Sequence, residues 1–291
     1  MSQIKFYIIL LIFFQLSVLC KEDEKNKIVS EKRISEKEIF ETKSKFSHIK
    51  VVDYGTIRSM HFVRDNGDEA LESSLDTYYP QNLFLLYTQT MFNGFLYKDE
   101  VEDMLLVGLG GGSMVHFKNH YFPKINLDVV EIDEEILKIC KAHFFYKENP
   151  KTKIIIADAF QYMKTGSKKY DIIMMDAFLK PSEETDSSGI AKKFKETEFH
   201  KNLKSKLKKD GIIVFNINTH EELEEDLKKL KSSFKQFYKF QKYTSGNLIV
   251  VVTDSEKIFT DEEIKNKAKL MDEKKLANFS YKEIYSYKLN E

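Results

Sequence analysis

The chain has 291 residues, 42% of them hydrophobic, which suffices for a substantial core in one main domain with extensions. Lys+Arg and Asp+Glu are equal at 46 each, so no global basic field argues for nucleic acid and no acidic tail is present. Of the two cysteines, Cys20 borders the N-terminal apolar segment, and if cleavage follows it only Cys140 is left; the fold then stands on its core rather than on a disulfide.

In chain order, residues 1–20 have the layout of a secretory signal peptide. Lys5 precedes an apolar run over 6–14, and Leu16-Ser17-Val18-Leu19-Cys20 leads into the charged Lys21-Glu22-Asp23-Glu24. This predicts a secreted chain or one in the lumen of the secretory pathway, with no stable membrane span after cleavage. The alternative is a chain anchored to the membrane by an uncleaved segment, whose length is near the lower limit of roughly 17 residues for a span. Residues 21–45, rich in Lys and Glu, predict a polar, unstructured segment. The region 46–79 carries a small β-hairpin, with strands 49–53 and 57–62 around Tyr54-Gly55-Thr56.

A main domain then covers 80–253. Apolar residues at helical spacing predict a helix over 80–96, started by Pro80. Strands 104–107, 127–131, 153–156, 171–175 and 211–216 alternate with helices 116–121, 134–144, 160–165 and 196–207, the last closed by a turn at 208–211. That alternation predicts an α/β, Rossmann-like, mostly parallel sheet with helices on both faces. A helix over 221–234 precedes an antiparallel edge hairpin, 237–243 and 247–253, around Thr244-Ser245-Gly246. Residues 254–291 read as a charged helical extension with one helix over 262–275. Asn278-Phe279-Ser280 fits a glycosylation sequon, relevant only in a eukaryotic secretory pathway.

The strand 104–107 runs directly into Gly108-Leu109-Gly110-Gly111-Gly112-Ser113 and a helix. Such a loop lets a ligand approach the backbone at the carboxyl end of the first strand. Glu131 ends the next strand, about one βαβ unit further on, where a carboxylate can accept both ribose hydroxyls; Asp133 is better placed to cap the helix after it. Asp158 and Asp176 end the following strands, and in a parallel sheet all these ends lie on one side. Asp158 either contacts an adenine amino group or caps the next helix, while Asp176 faces the reacting end, where it can bind or deprotonate a nucleophile. Ser113 stands where the dinucleotide fingerprint requires glycine, which demotes a nicotinamide cofactor. His116 and His120 stand at i, i+4, but Phe117 takes the place of a zinc protease's glutamate, so no metal is expected.

From about 46 to 253 the chain resembles the spermidine synthase-like branch of class I S-adenosylmethionine-dependent methyltransferases. The hairpin, Gly-Leu-Gly-Gly-Gly-Ser, Val-Val-Glu-Ile-Asp, Ala-Asp-Ala and Met-Asp-Ala-Phe occur in that family's order. The stretch 107–133 also resembles the spermidine synthase-like domain of the elongation factor 1A methyltransferase. The resemblance implies that Gly108, Gly110 and Gly112 line S-adenosylmethionine, that Glu131 holds its ribose, and that Asp158 and Ala159 meet its adenine.

The departures bear on the reaction. Aminopropyltransferases of this family carry an aspartate after their glycines, which receives the free amine of decarboxylated S-adenosylmethionine; here that position is Ser113. Their second loop aspartate is replaced by Leu179, and their Tyr-Gln-Glu-Met is Thr88-Gln89-Thr90-Met91, which keeps Gln89 as a substrate-binding group. Each lost charge-assisted hydrogen bond is worth about 1.5–3 kcal/mol toward a cationic ligand. The expectation is methyl transfer to a nitrogen or oxygen of an unknown small-molecule or protein acceptor, with Asp176 as the catalytic group. Polyamine aminopropyl transfer from the decarboxylated donor is the alternative, and a non-catalytic secreted binding protein on the same fold is a third. Residues 179–193 form a long polar loop, either a lid or a disordered insertion. Oligomeric state, a homodimer included, stays open.

Overall fold

The computed structural model describes residues 36–179 and 181–290. The chain divides into Met1–Lys37 and Glu38–Glu291, and of the first unit only Glu36 and Lys37 are described. The expected signal peptide and the first part of the polar segment therefore lie outside the described residues. Among the described residues no helix is long and apolar enough to cross a membrane.

The N-terminal region is a four-stranded sheet rather than a lone hairpin, ordered β1 (Glu36–Lys43), β2 (His48–Tyr54), β3 (Ile57–Val63) and β4 (Glu69–Asp76). β2 and β3 are the predicted pair, turned by Gly55 at φ +63°. β1 corrects the expectation of an unstructured segment up to residue 45: Ile39 and Phe40, set among charges, pack against the main core. β4 escaped the sequence reading because its alternation is broken. Met60 pairs with Ser73 and His61 with Leu71, so Glu72 is an extra residue in a β-bulge.

The main sheet has seven strands in the order β10-β11-β9-β8-β5-β6-β7, with β5 (Asp103–Val107), β6 (Asn126–Glu131), β7 (Thr152–Ile156), β8 (Tyr170–Met175), β9 (Leu207–Asn218), β10 (Gln236–Phe240) and β11 (Asn247–Thr253). Strands β5 to β9 pair in parallel, and β11 and β10 add antiparallel at one edge. The central strands are apolar throughout because both faces are covered. Leu106, Val129, Met174 and Val214 face one core, and their neighbours Val107, Val130, Met175 and Phe215 face the other, as a period of two requires.

The first face is covered by α1 (Leu86–Met91), α2 (Ser113–Tyr121), α3 (Glu134–His143), α7 (Asp261–Glu273) and α8 (Tyr281–Tyr285); the second by α4 (Ala159–Thr165), α5 (Thr197–Ser205) and α6 (Leu223–Ser233). The chain leaves β5 toward β6 and β7, then crosses to β8 on the other side of β5. The crevice between the carboxyl ends of β5 and β8 is thus the topological switch point, where open α/β sheets bind ligands.

Three boundaries differ from the sequence reading for identifiable reasons. The helix expected from Pro80 starts only at Leu86, because turns spend the preceding backbone groups: the Tyr79 N–H donates to Asp76 O and the Asn82 N–H to Tyr79 O. It then tightens into a 3₁₀ segment, Phe92–Tyr97. The expected turn at 208–211 lies inside β9, where Asp210 at φ +53° and a register shift against β8 absorb the irregularity. Finally, residues 254–291 are no appended extension: Ile264, Ala268, Met271, Tyr281 and Ile284 are core residues, and Thr260 with Glu263 closes a capping box on α7. The Asn278 side chain belongs to this packing, accepting from the Leu83 N–H at 2.9 Å and donating to Leu83 O at 3.1 Å.

Candidate active site

The end of β5 turns sharply at Gly108, whose φ of +96° suits glycine. Its N–H donates to Val130 O at 2.9 Å, while the Asp176 N–H donates to Val107 O at 2.9 Å, so the ends of β5 and β8 are held side by side. A Cβ at Gly108 would lie 2.0 Å from Asp176 O. Glycine here is what allows the first loop and the strand carrying Asp176 to touch.

Above these ends lies a cavity of about 1050 Å³, ample for a nucleoside-sized ligand with an acceptor beside it. Gly108, Gly110, Glu131, Asp158, Ala159 and Asp176 all line it, as does Ser113. Gly112 does not; at φ +74° it is the residue that starts α2. Its role is therefore to turn the loop into the helix, a correction to its expected place on the ligand.

Glu131 is buried and held from both sides. Oε2 accepts from the Leu109 N–H at 2.8 Å and Oε1 from the Asp133 N–H at 2.9 Å. Burial pushes its carboxyl above the ordinary value, while these backbone donors pull the other way. Each oxygen keeps a further lone pair, so a fixed carboxylate is presented to a vicinal diol. Asp133 caps α3 by accepting from the Glu135 N–H, and it also accepts from the Ser44 hydroxyl. Asp158 caps α4, accepting from the Phe160 N–H at 2.7 Å. It holds the capping role while still bordering the cavity.

At the opposite side Asp176 Oδ1 accepts from Asn216 Nδ2 at 2.8 Å. Burial raises its carboxyl to about 6, against the hydrogen bonds from Asn216 and Tyr87. Tyr87 also lines the cavity, and its hydroxyl donates to the Glu72 carbonyl at 3.3 Å. Glu72 contributes a second carboxylate, pushed up to about 8 by burial and by the charge of Asp176, with Arg64 opposing. The structure thus gathers a group of Asp176, Asn216, Tyr87 and Glu72.

Gln89, expected to contact substrate, is not on this wall. Its Nε2 donates to Leu83 O at 2.9 Å, inside the packing that also holds Asn278. Tyr87, two positions earlier, is on the cavity side of α1. Asn216 was detectable, since it is the polar residue that closes the apolar run 212–215, a signal like that of Glu131 and Asp176. Glu72 had no such signal because its orientation depends on the bulge.

The loop from Leu179 is folded over the cavity rather than an unstructured insertion: Leu179, Pro181, Ser182 and Thr185 line it. Asp186 organises the loop, its Oδ1 accepting from the N–H groups of Ser188 and Ile190. Its Oδ2 lies 2.6 Å from Lys195 Nζ, which is also 2.5 Å from Asp226 Oδ2 and 3.0 Å from His220 Nε2. Asp186, His220 and Asp226 place potential metal-ligand atoms within 4.8 Å of one another, but the Lys195 ammonium supplies the cation among them.

The sequence profile of the Spermine/spermidine synthase domain matches residues 86–271. The polyamine aminopropyltransferase of Vibrio vulnificus is 26% identical over 218 residues, covering 73% of this chain and 71% of that protein. The mouse eEF1A lysine and N-terminal methyltransferase is 32% identical over 141 residues, covering 46% of this chain and only 20% of that protein. The crystal structure of human methyltransferase-like protein 13 in complex with SAH superposes with a TM-score of 0.61 at 25% identity, covering 65% of this chain and 92% of that one. Since the profile spans more than half of the sequence and takes in every strand of the seven-stranded sheet, the chain belongs to the spermine/spermidine synthase domain family.

Proposed function

We propose that this chain is a transferase using an S-adenosylmethionine-type donor, and that the group it transfers is methyl, passed to a nitrogen or oxygen acceptor. The choice of group is supported by Ser113 and Leu179, neutral at the two positions where the family resemblance implies aspartates in aminopropyltransferases, both of which line the same cavity as Asp176. The wall at those two positions offers no negative charge to an aminopropyl ammonium that lacks a neighbouring carboxylate.

The residues fit such a donor. The glycine loop lets a ligand lie against the backbone, and Glu131 presents fixed acceptor oxygens to ribose. When bound, the donor supplies an activated carbon on a sulfonium sulfur. The chain's part is to position the acceptor and manage its proton. Asp176, with its carboxyl at about 6, is ionised at neutral pH and able to accept that proton, while Asn216 and Tyr87 fix its orientation. Leu179, Pro181, Ser182 and Thr185 of the following loop line the same cavity, where closure over a bound donor would exclude water.

Aminopropyl transfer is the second reading, favoured by the match to the Vibrio vulnificus aminopropyltransferase over most of both chains. Calorimetric titration with S-adenosylmethionine, its decarboxylated form and S-adenosylhomocysteine separates the two. Tighter binding of the carboxylated donor supports methyl transfer, preference for the decarboxylated form refutes it, and binding of none refutes the transferase reading.

A further inference from the structure

Building on that transferase reading, we infer that Asn247 is a positioning residue for the reaction: it acts on Asp176 through Asn216, holding the Asn216 amide so that only its N–H group faces the carboxylate. Three asparagines meet where one strand ends and its neighbour begins. Asn216 and Asn218 stand at the carboxyl end of β9, and Asn247 opens β11, which runs antiparallel beside it. The register pairs Asn247 with Asn218 and Ile249 with Asn216. Residues two apart share a face of a strand. Val214, two before Asn216, and Ile249, two after Asn247, belong to the first core, so the three amides lie on that face, and all three line the cavity with Asp176.

The direction of each bond follows from the carboxylate. An ionised acid only accepts, so Asn216 turns its Nδ2 toward Asp176 Oδ1, at 2.8 Å. Its own Oδ1 then accepts from Asn247 Nδ2 at 3.0 Å. The second hydrogen of Asn247 Nδ2 goes to Asn218 Oδ1 at 2.6 Å. The backbone beneath is anchored as well: the Asn247 N–H donates to Ser245 Oγ at 3.1 Å, and the Thr219 N–H and hydroxyl both donate to Gly246 O at 3.1 Å. Asn216 is buried, so water does not readily replace a lost partner.

A lone asparagine beside an acid is indifferent to its ionisation: the N–H serves the carboxylate and, after a turn of the amide, the oxygen serves the protonated acid. Asn247 removes that choice. With its oxygen engaged, Asn216 can turn without losing a bond only if Asn247 and Asn218 turn as well. The relay therefore favours Asp176 in the form that receives the acceptor's proton. Amides bonded in series also polarise one another, which strengthens the bond at the carboxylate. The other groups that meet Asp176 are Tyr87, which donates to it, and Glu72, whose ionisation it opposes. Asn216 also borders a second cavity, of about 50 Å³, with Lys195, His200 and Asp226. Among the described residues none of these groups is hydrogen-bonded to Asn247, so its influence on Asp176 runs through Asn216.

The test follows the Asp176 carboxyl by NMR across a pH titration of the full chain, isotopically labelled at the aspartate side-chain carboxyl carbons, with the resonance identified by its loss in Asp176→Asn. Asn247→Leu, which matches asparagine in size and cannot donate, should raise the midpoint of that resonance by about half a pH unit or more, about a threefold gain in proton affinity. Asn216→Leu should raise it too. Adding Asn247→Leu to Asn216→Leu should then move it no further, because the relay is already cut, whereas general damage to the strand ends would act in either background. Asn247→Ala and Asn216→Ala probe the same bonds with less bulk should the leucines pack poorly. The inference is overturned if neither Asn247 variant raises the midpoint, or if Asn247→Leu raises it equally once Asn216 has been replaced. Failure of the wild-type chain to bind S-adenosylhomocysteine in calorimetry would instead count against the transferase reading, while the midpoints still decide the relay.

Discussion

Lys195→Met isolates the cluster that holds the loop over the cavity. Lys195 is 16% exposed at its side chain, Asp186 4% and Asp226 10%. Removing the ammonium leaves two nearly buried carboxylates facing each other, and breaking a buried ion pair from one side costs about 3–5 kcal/mol. Burial works against the charge of Lys195, but Asp186 and Asp226 outweigh it and hold its pKa above the ordinary value. Burial likewise opposes the ionised form of Asp186, yet Lys195, Ser188 and the Ile190 N–H hold its pKa below the ordinary value. The raised lysine stabilises the fold below its unfolded pKa of about 10.4, and that contribution is lost as pH rises through the higher folded value. The depressed aspartate stabilises above its unfolded pKa of about 3.9, and that contribution is lost as pH falls through the lower folded value. Urea unfolding should therefore show a loss of about 3–5 kcal/mol for Lys195→Met at pH 7, shrinking as acidification neutralises Asp186. Adding Asp186→Asn should recover part of it, because the amide oxygen of the new side chain can still accept from the N–H groups of Ser188 and Ile190. A loss below about 1 kcal/mol at pH 7, or one that does not shrink in acid, would refute the reasoning.

Three further outcomes are expected. Glu131→Ala deprives the Leu109 and Asp133 N–H groups of their acceptor; calorimetry should show S-adenosylhomocysteine affinity reduced about tenfold or more, and unfolding a loss of about 1–3 kcal/mol. Gly108→Ala combines a φ of +96° with a Cβ 2.0 Å from Asp176 O, so chemical denaturation should show about 2–5 kcal/mol of destabilisation, with donor binding weakened as the strand end shifts. With Asp176 raised to about 6, single-turnover rates should fall as pH drops through that value and the base becomes protonated; Asp176→Asn should be slow at every pH, and a retained pH step would refute its role as base.

The parallel sheet was legible because each central strand states its own boundaries: an apolar run such as Ile172-Ile173-Met174-Met175 ends on a polar residue at the binding edge. The same rule, applied to Phe215-Asn216, would have exposed Asn216. What could not be read was whatever depends on pairing between distant segments. Glu72 lines the cavity through the register of β4 on β3. Gln89 was misplaced because the face of a six-residue helix is set by what packs on it, here Leu83 and Asn278, and not by its own periodicity. Lys195, His220 and Asp226 come from a 3₁₀ turn, a loop after β9 and α6, with no common spacing. β1 looked solvated because Ile39 and Phe40 are its main apolar residues among charges.

The clasp between Asn278 and Leu83 joins residues 195 positions apart, and Asn93 reaches Ile284 across 191. Contacts of such long range enter late in folding, because the entropy of closing the intervening loop opposes them until the sheet has formed. The wall of α1 that presents Tyr87 is thus completed only when the last helices dock. A chain synthesised through β11 would have its glycine loop and strand-end acids in place while the α1 wall of the cavity was still unfinished.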